Sequence, residues 1–253
     1  MSIVLSGRLK ARLAANEKLG VVWLTLGHAS IVEMAARTGT DALVIDLQHG
    51  LWDRRSLETA VGITGGDVPT IARVADCSTT AIGSALDAGC DGVLVPLIET
   101  REQAEQAVAA SRFPPHGHRS GGGVRPLAIG FGTYLERADR VAVGIMIETA
   151  KGVENVEEIM TVPGLDFVLI GTGDLGISYA ARGKDASAIE DACRLVKDAC
   201  SRAGVPCGIF TGSLDKARQR RAEGYSLVVL ASDVDVVRDA FDGAVRGFAE
   251  AAS

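Results

Sequence analysis

The sequence predicts one (β/α)8 TIM barrel, a single domain over residues 1–253, and three observations predict it. Eight short apolar runs recur along the chain, each followed by a stretch with helical punctuation. The runs are rich in Val, Ile and Leu and apolar on both faces, as parallel strands covered by helices should be. Several runs end on a charged residue, and strand-end polar groups gathered at one mouth are how such a barrel builds a site. A doubly wound sheet fits less well, because it would show five or six strands and a glycine-rich first turn, which is absent.

The first strand, 20–25 (GVVWLT), carries Trp23 and leads to His28. The second, 42–46 (ALVID), stops on Asp46, with Gln48 and His49 just beyond; a helix opened by Ser56 follows. Strand three, 70–74 (TIARV), holds Arg73, and Ser78 precedes the next helix. Strand four, 92–96 (GVLVP), is followed by a helix that begins at Thr100. The link to strand five is long and contains RFPPHGHRSGGGVRP (112–126). A loop of that length is expected to lie over the catalytic face and close on a ligand, with Arg119 as its cation and Gly121 to Gly123 supplying freedom. Strand five, 142–147 (AVGIMI), runs into Glu148, and strand six, 166–171 (DFVLIG), runs into Asp174. A helix over 187–203 precedes strand seven, 206–210 (PCGIF), which ends on Phe210; strand eight is 226–230 (SLVVL). Three helices are expected to end at Gly89, Gly204 and Gly224, the position that favours a left-handed glycine. The last helix, 233–250, puts Val237, Phe241, Ala244, Val245 and Phe248 on one face, a stripe that must pack on its own barrel or on a neighbouring subunit.

Composition narrows the function. With 47% hydrophobic and 23% charged residues the chain can build a large core, and a net charge of −6 argues against a nucleic-acid partner. The basic run KARQRR (216–221) reads as a solvated helix face. The polar first residues do not resemble a signal peptide and no apolar run reaches membrane-spanning length, so the expectation is a cytoplasmic protein with no membrane partner. Five cysteines (77, 90, 193, 200, 207) without a CxxC pair argue against a disulfide framework or structural zinc.

The strand ends carry the chemistry. Glu148 and Asp174 end consecutive strands, and two neighbouring carboxylates repel unless a proton or cation lies between them. Few, oxygen-only ligands favour Mg²⁺ or Mn²⁺; the competing reading is that both cap helices. His49 is the candidate base, with Asp46 three residues earlier to hold its imidazole. Arg73 suits a carboxylate or an enolate oxygen, with a salt bridge to Asp46 or Glu148 as the plainer reading. The GTGD segment (171–174), which contains Gly173 and Asp174, runs from strand six into an expected helix start, where free N–H groups would bind a substrate carboxylate. Trp23, Gln48 and Phe210 complete the candidate substrate-binding set, the two aromatics as pocket walls.

Taken together, WLTL, IDLQHG, IARV, VLVPLIET, RFPPHGHRS, IMIET and IGTGDLGIS resemble, in order, the HpcH/HpaI family of metal-dependent (class II) pyruvate aldolases. The resemblance implies a barrel of the phosphoenolpyruvate/pyruvate type and reversible cleavage of 4-hydroxy-2-oxo acids to pyruvate and an aldehyde. It implies that Glu148 and Asp174 bind the divalent metal, with Co²⁺, Zn²⁺ or Ni²⁺ as further occupants, and that the metal chelates pyruvate through its carboxylate and keto oxygens. Arg73 then stabilises the enolate, and His49, oriented by Asp46, serves the proton transfers. The family also implies a homo-hexamer, a dimer of trimers, whose terminal helix is exchanged between subunits. Many members read G-P-x-D-L-S where this chain has Gly171-Thr172-Gly173-Asp174-Leu175-Gly176, which leaves hydroxypyruvate open beside pyruvate. A CoA-ester lyase of the malyl/citryl type and a non-catalytic 2-oxo acid binding barrel are the competing functions.

Overall fold

A computed structural model of the protein describes residues 6–250. Eight strands close in sequence order into a parallel barrel: β1 (Leu19–Leu24), β2 (Ala42–Asp46), β3 (Thr70–Arg73), β4 (Gly92–Val95), β5 (Ala142–Ile147), β6 (Phe167–Ile170), β7 (Cys207–Ile209) and β8 (Leu227–Ser232). Each predicted strand is present within two residues of its expected ends. Between them helices form the outer layer. No helix among the described residues is long and apolar enough to cross a membrane.

Strand period decides what lies inside. Ala42 and Val44 of β2, Ile71 of β3, Ala142 and Met146 of β5 and Val21 and Trp23 of β1 belong to one buried cluster that fills the barrel. Their alternates, such as Leu43, Ile45, Ala72, Ile145 and Ile147, belong to a second cluster beneath the helices. The empty side of Gly144 is filled from β6: a Cβ there would stand 2.2 Å from the Phe167 ring. Below, the helix Arg8–Ala14 closes the barrel with Leu9 and Leu13, both 1% exposed. Its cations are fastened to the rim, Lys10 to Asp166 (3.2 Å) and Arg12 to Asp41 (2.7 Å).

The helix punctuation is largely as expected. Ser78 and Thr100 cap their helices, and Gly89, Gly204 and Gly224 all have positive φ. Ser56 is one turn off: Asp53 is the cap of Arg54–Thr64, and Ser56 answers it as the reciprocal member of a capping box.

The long link between β4 and β5 corrects the gating expectation. It joins the end of a helix, Arg101–Ser111, to the start of a strand, so both its ends lie at the opposite mouth from the strand-end carboxylates. Instead of a bare loop it folds two short helices, Val124–Leu127 and Phe131–Arg137, against the outer wall. Arg125 donates to the Glu58 carbonyl at 2.7 Å. Arg119 is 3% exposed, donates to Asp87 (3.0 Å) and to the Tyr134 hydroxyl (2.8 Å), and stacks 5.0 Å from the Phe113 ring centroid. Arg119 is therefore a structural cation of the outer wall and not a ligand of the central pocket.

Candidate active site

The strand alternation that fills the barrel also builds its mouth. Continuing each inward series by one step from Val44, Ile71 and Met146 gives Asp46, Arg73 and Glu148. All three are buried, at 2%, 8% and 1% exposure. They line a cavity of about 300 Å³ together with Trp23, Met146 and Phe210. From the next strand end come Gly171, Thr172, Gly173 and Asp174; from the end of β8 come Ser232, Val234 and Asp235.

Asp46 and Arg73 are register partners on adjacent strands. Their side chains meet in a bidentate pair, Nε to Oδ1 at 2.8 Å and Nη2 to Oδ2 at 2.5 Å. Trp23 Nε1 adds a bond to Asp46 Oδ2 at 3.2 Å, and the guanidinium lies 4.9 Å from the Trp23 ring centroid. Burial works to raise the Asp46 carboxyl, but Arg73, the His49 N–H and Trp23 outweigh it and hold it below its ordinary value. The pair fixes a cation at the mouth, and among the described residues its bonds to Asp46 use Nε and Nη2 and leave the Nη1 edge uncommitted.

This arrangement corrects the expected Asp46–His49 dyad. Asp46 accepts from the backbone N–H groups of Gln48 (3.1 Å) and His49 (3.2 Å), while its carboxylate is taken up by Arg73. The imidazole of His49 is exposed, on the turn after β2. Neither His49 nor Gln48 lines the cavity, and Gln48 Oε1 is buried without a partner among the described residues. His28 caps the helix Ala29–Ala36, accepting from the Ser30 N–H at 3.3 Å.

Glu148 is not a helix cap; Thr149 holds that position. The Glu148 carboxyl is pushed up to about 7, first by burial, with the charge of Asp174 adding to it and the Leu97 N–H, 2.8 Å from Oε1, working against it. Asp174 sits in the first turn of the helix Thr172–Ala180, half-buried. Two carboxylates facing one cavity, one of them driven toward neutrality, are an oxygen donor set that fits a hard divalent cation. The same helix starts at Gly171 with no side-chain cap, so its first N–H groups are open to an anion.

Trp23 and Phe210 form one wall, edge to face at 5.2 Å between centroids. Ser232 and Asp235 were not foreseen, because the expected strand eight stopped at 230 whereas β8 runs on to Ser232. The signal was present: the acidic DVD that follows β8 obeys the strand-end pattern that marked Asp46 and Glu148. Asp233 next to them accepts the N–H groups of Thr25 (2.8 Å) and Leu26 (2.9 Å) and ties the end of β1 to the last helix.

The HpcH/HpaI aldolase/citrate lyase family matches residues 19–240. A 4-hydroxy-2-oxovalerate aldolase from Rhodococcus jostii is 35% identical over 96% of this chain and 96% of its own. A hydroxypyruvate/pyruvate aldolase from Paraburkholderia phytofirmans is 31% identical over 89% and 91%. Among solved structures, an HpcH/HpaI aldolase/citrate lyase family protein from Burkholderia cenocepacia superposes with a TM-score of 0.89 at 35% identity, covering 96% of this chain and 99% of that one.

Proposed function

The chain belongs to the HpcH/HpaI aldolase/citrate lyase family, and from that premise we propose that it is a class II aldolase cleaving 4-hydroxy-2-oxo acids to an aldehyde and pyruvate, with hydroxypyruvate as a second nucleophile. The observation that supports this most is the convergence of Arg73, Glu148 and Asp174 on one cavity from the ends of three strands.

The residues divide the work by position. The uncapped start of Thr172–Ala180 receives the substrate carboxylate on backbone N–H groups around Gly173 and Asp174. Arg73, held rigid by Asp46, presents positive charge where the 2-oxo oxygen becomes an enolate oxygen. Glu148 and Asp174 would hold a divalent cation, Mg²⁺ or Mn²⁺, which supplies Lewis acidity at that oxygen. His49 on the rim takes the C4 hydroxyl proton as the carbon–carbon bond breaks and returns a proton in the reverse direction. Trp23, Met146 and Phe210 keep water from the nucleophile.

The exposed stripe on the last helix supports an assembly. Phe241, Val245 and Phe248 are 69%, 71% and 83% exposed, and a second copy of the chain in a homo-hexamer is the proposed cover.

Exchange of the pyruvate methyl protons into deuterium tests the chemistry without the natural aldehyde. EDTA treatment should abolish exchange and added Mn²⁺ or Mg²⁺ should restore it. Undiminished exchange in metal-stripped protein would overturn the class II assignment.

A further inference from the structure

We propose that Leu97 is a positioning residue for Glu148, and that Leu97 and Gly171 form a two-sided clamp that fixes the carboxylate to receive a divalent cation. The proposal rests on the aldolase reading above, and it assigns a positioning role to the loop after β4, which that reading leaves without one.

Leu97 has a φ of 56°, a left-handed conformation that a leucine adopts only when its surroundings impose it. Its side chain does not impose it, being 45% exposed. The backbone does: in this conformation the Leu97 N–H points at Glu148 Oε1, 2.8 Å away. The rest of the loop is sewn to the Glu148 segment on both sides. Ile98 N–H donates to the Met146 carbonyl at 3.2 Å. Glu99 accepts from the Thr149 hydroxyl at 2.9 Å, and its own carbonyl accepts from Asn155 at 2.7 Å. The strained residue thus stands over the carboxylate, with its neighbours bonded before and after it.

Gly171 is the opposite jaw. A Cβ there would lie 2.2 Å from Glu148 Oε2, 2.8 Å from Glu148 Cβ and 2.9 Å from Met146 Cε. Its φ is −86°, so the backbone has no need of glycine; the carboxylate does. One oxygen of Glu148 is therefore held by a donor while the other fills the space that a side chain at 171 would need, and in the proposal this sets the torsions of the carboxylate before metal binding. Partners of this kind orient a ligand and set its basicity, and changing them typically costs roughly 10–100-fold in metal affinity.

The test measures Mn²⁺ affinity of metal-free protein by calorimetry, with the thermal transition as a control for folding. Replacing Leu97 by its α-hydroxy analogue turns the N–H into an ester oxygen and keeps the side chain. That change should weaken Mn²⁺ binding by about 10–100-fold. Gly171→Ala should weaken it comparably. Leu97→Gly keeps the donor and accepts the left-handed φ, so its affinity should stay within about threefold of the unaltered protein. Unchanged affinity in the ester or in Gly171→Ala would overturn the clamp, and so would an equal loss in Leu97→Gly, which would make the loop and not the N–H responsible. Should the ester not fold, Gly171→Ala alone decides. An unaltered protein that binds no Mn²⁺ would fail earlier and differently, removing the aldolase reading along with the clamp.

Discussion

Arg73 reaches the cavity with half of its guanidinium committed, since Nε and Nη2 both donate to Asp46. A lysine in its place would have no second edge to offer substrate while keeping the pair. Phe210 meets the same cavity from β7, braced edge-on by Trp23. We expect Phe210→Ala and Phe210→Trp to change the ratio of kcat/KM for pyruvate and hydroxypyruvate, by an amount on the scale of roughly 1–3 kcal/mol for one added group. A ratio unmoved in both variants would place Phe210 outside the nucleophile wall. His49→Ala should lower aldol cleavage by roughly 10²–10⁴-fold while pyruvate still binds, measurable by steady-state kinetics beside a binding titration. Near-normal kcat in that variant would put the proton transfer elsewhere. At this scale the sequence was a fair guide to which residues reach the cavity, Trp23, Asp46, Arg73, Glu148, Asp174 and Phe210 among them, and a poor one to whom they hold. Asp46 and His49 are three apart, and only the register of β2 against β3 turns the carboxylate to Arg73.

The last helix, Asp233–Glu250, begins inside the site and ends outside the barrel. Val234 and Asp235 line the cavity, whereas Phe241, Val245 and Phe248 form an exposed apolar stripe. Replacing Phe241 and Phe248 together by Asp should shift the protein to a smaller species in light-scattering chromatography, with its thermal transition still cooperative. An unchanged mass would show that the stripe is not the assembly contact. The segment 112–137 teaches the converse lesson. The glycines and length of its first part, 112–126, suggest a lid, yet the place of the segment between a helix end and a strand start anchors it at the other mouth. The pair of buried Arg119 with half-buried Asp87 and the Arg119–Tyr134 bond then hold it to the wall.

Across the whole molecule, three aspartates stand in equivalent places just before β2, β4 and β6. Asp41, Asp91 and Asp166 each accept a backbone N–H from the preceding strand, those of Gly20 (2.8 Å), Thr70 (3.0 Å) and Val143 (2.8 Å). Arg12 pairs with Asp41, and Lys10 and Arg112 pair with Asp166. Asp91 is 8% exposed, and burial pushes its carboxyl from 3.8 up to about 6, against the opposing pull of Thr70. A raised value in the folded state means that its contribution is present below about 4 and lost as pH climbs through about 6. Asp91→Asn keeps an acceptor and removes the charge, so it should stabilise the protein at pH 8 by up to about 3 kcal/mol and by little at pH 4. Thermal midpoints of both proteins across that range check it, and a constant difference would mean that the charge is not the cause.

The sequence by itself determined the barrel, the strand ends and four of the charged residues at the mouth, Asp46, Arg73, Glu148 and Asp174, because apolar runs of strand length and their polar stops are local properties of the chain. Which face of each strand turns inward, and so carries Asp46, Arg73 and Glu148 into the mouth, was decided by the closed barrel, since the runs are apolar on both faces. Only the tertiary structure decided the partners: Asp46 with Arg73, Arg119 with Asp87, Leu97 over Glu148. Those depend on register between strands and on a left-handed leucine, and neither is written in the spacing of residues along one chain.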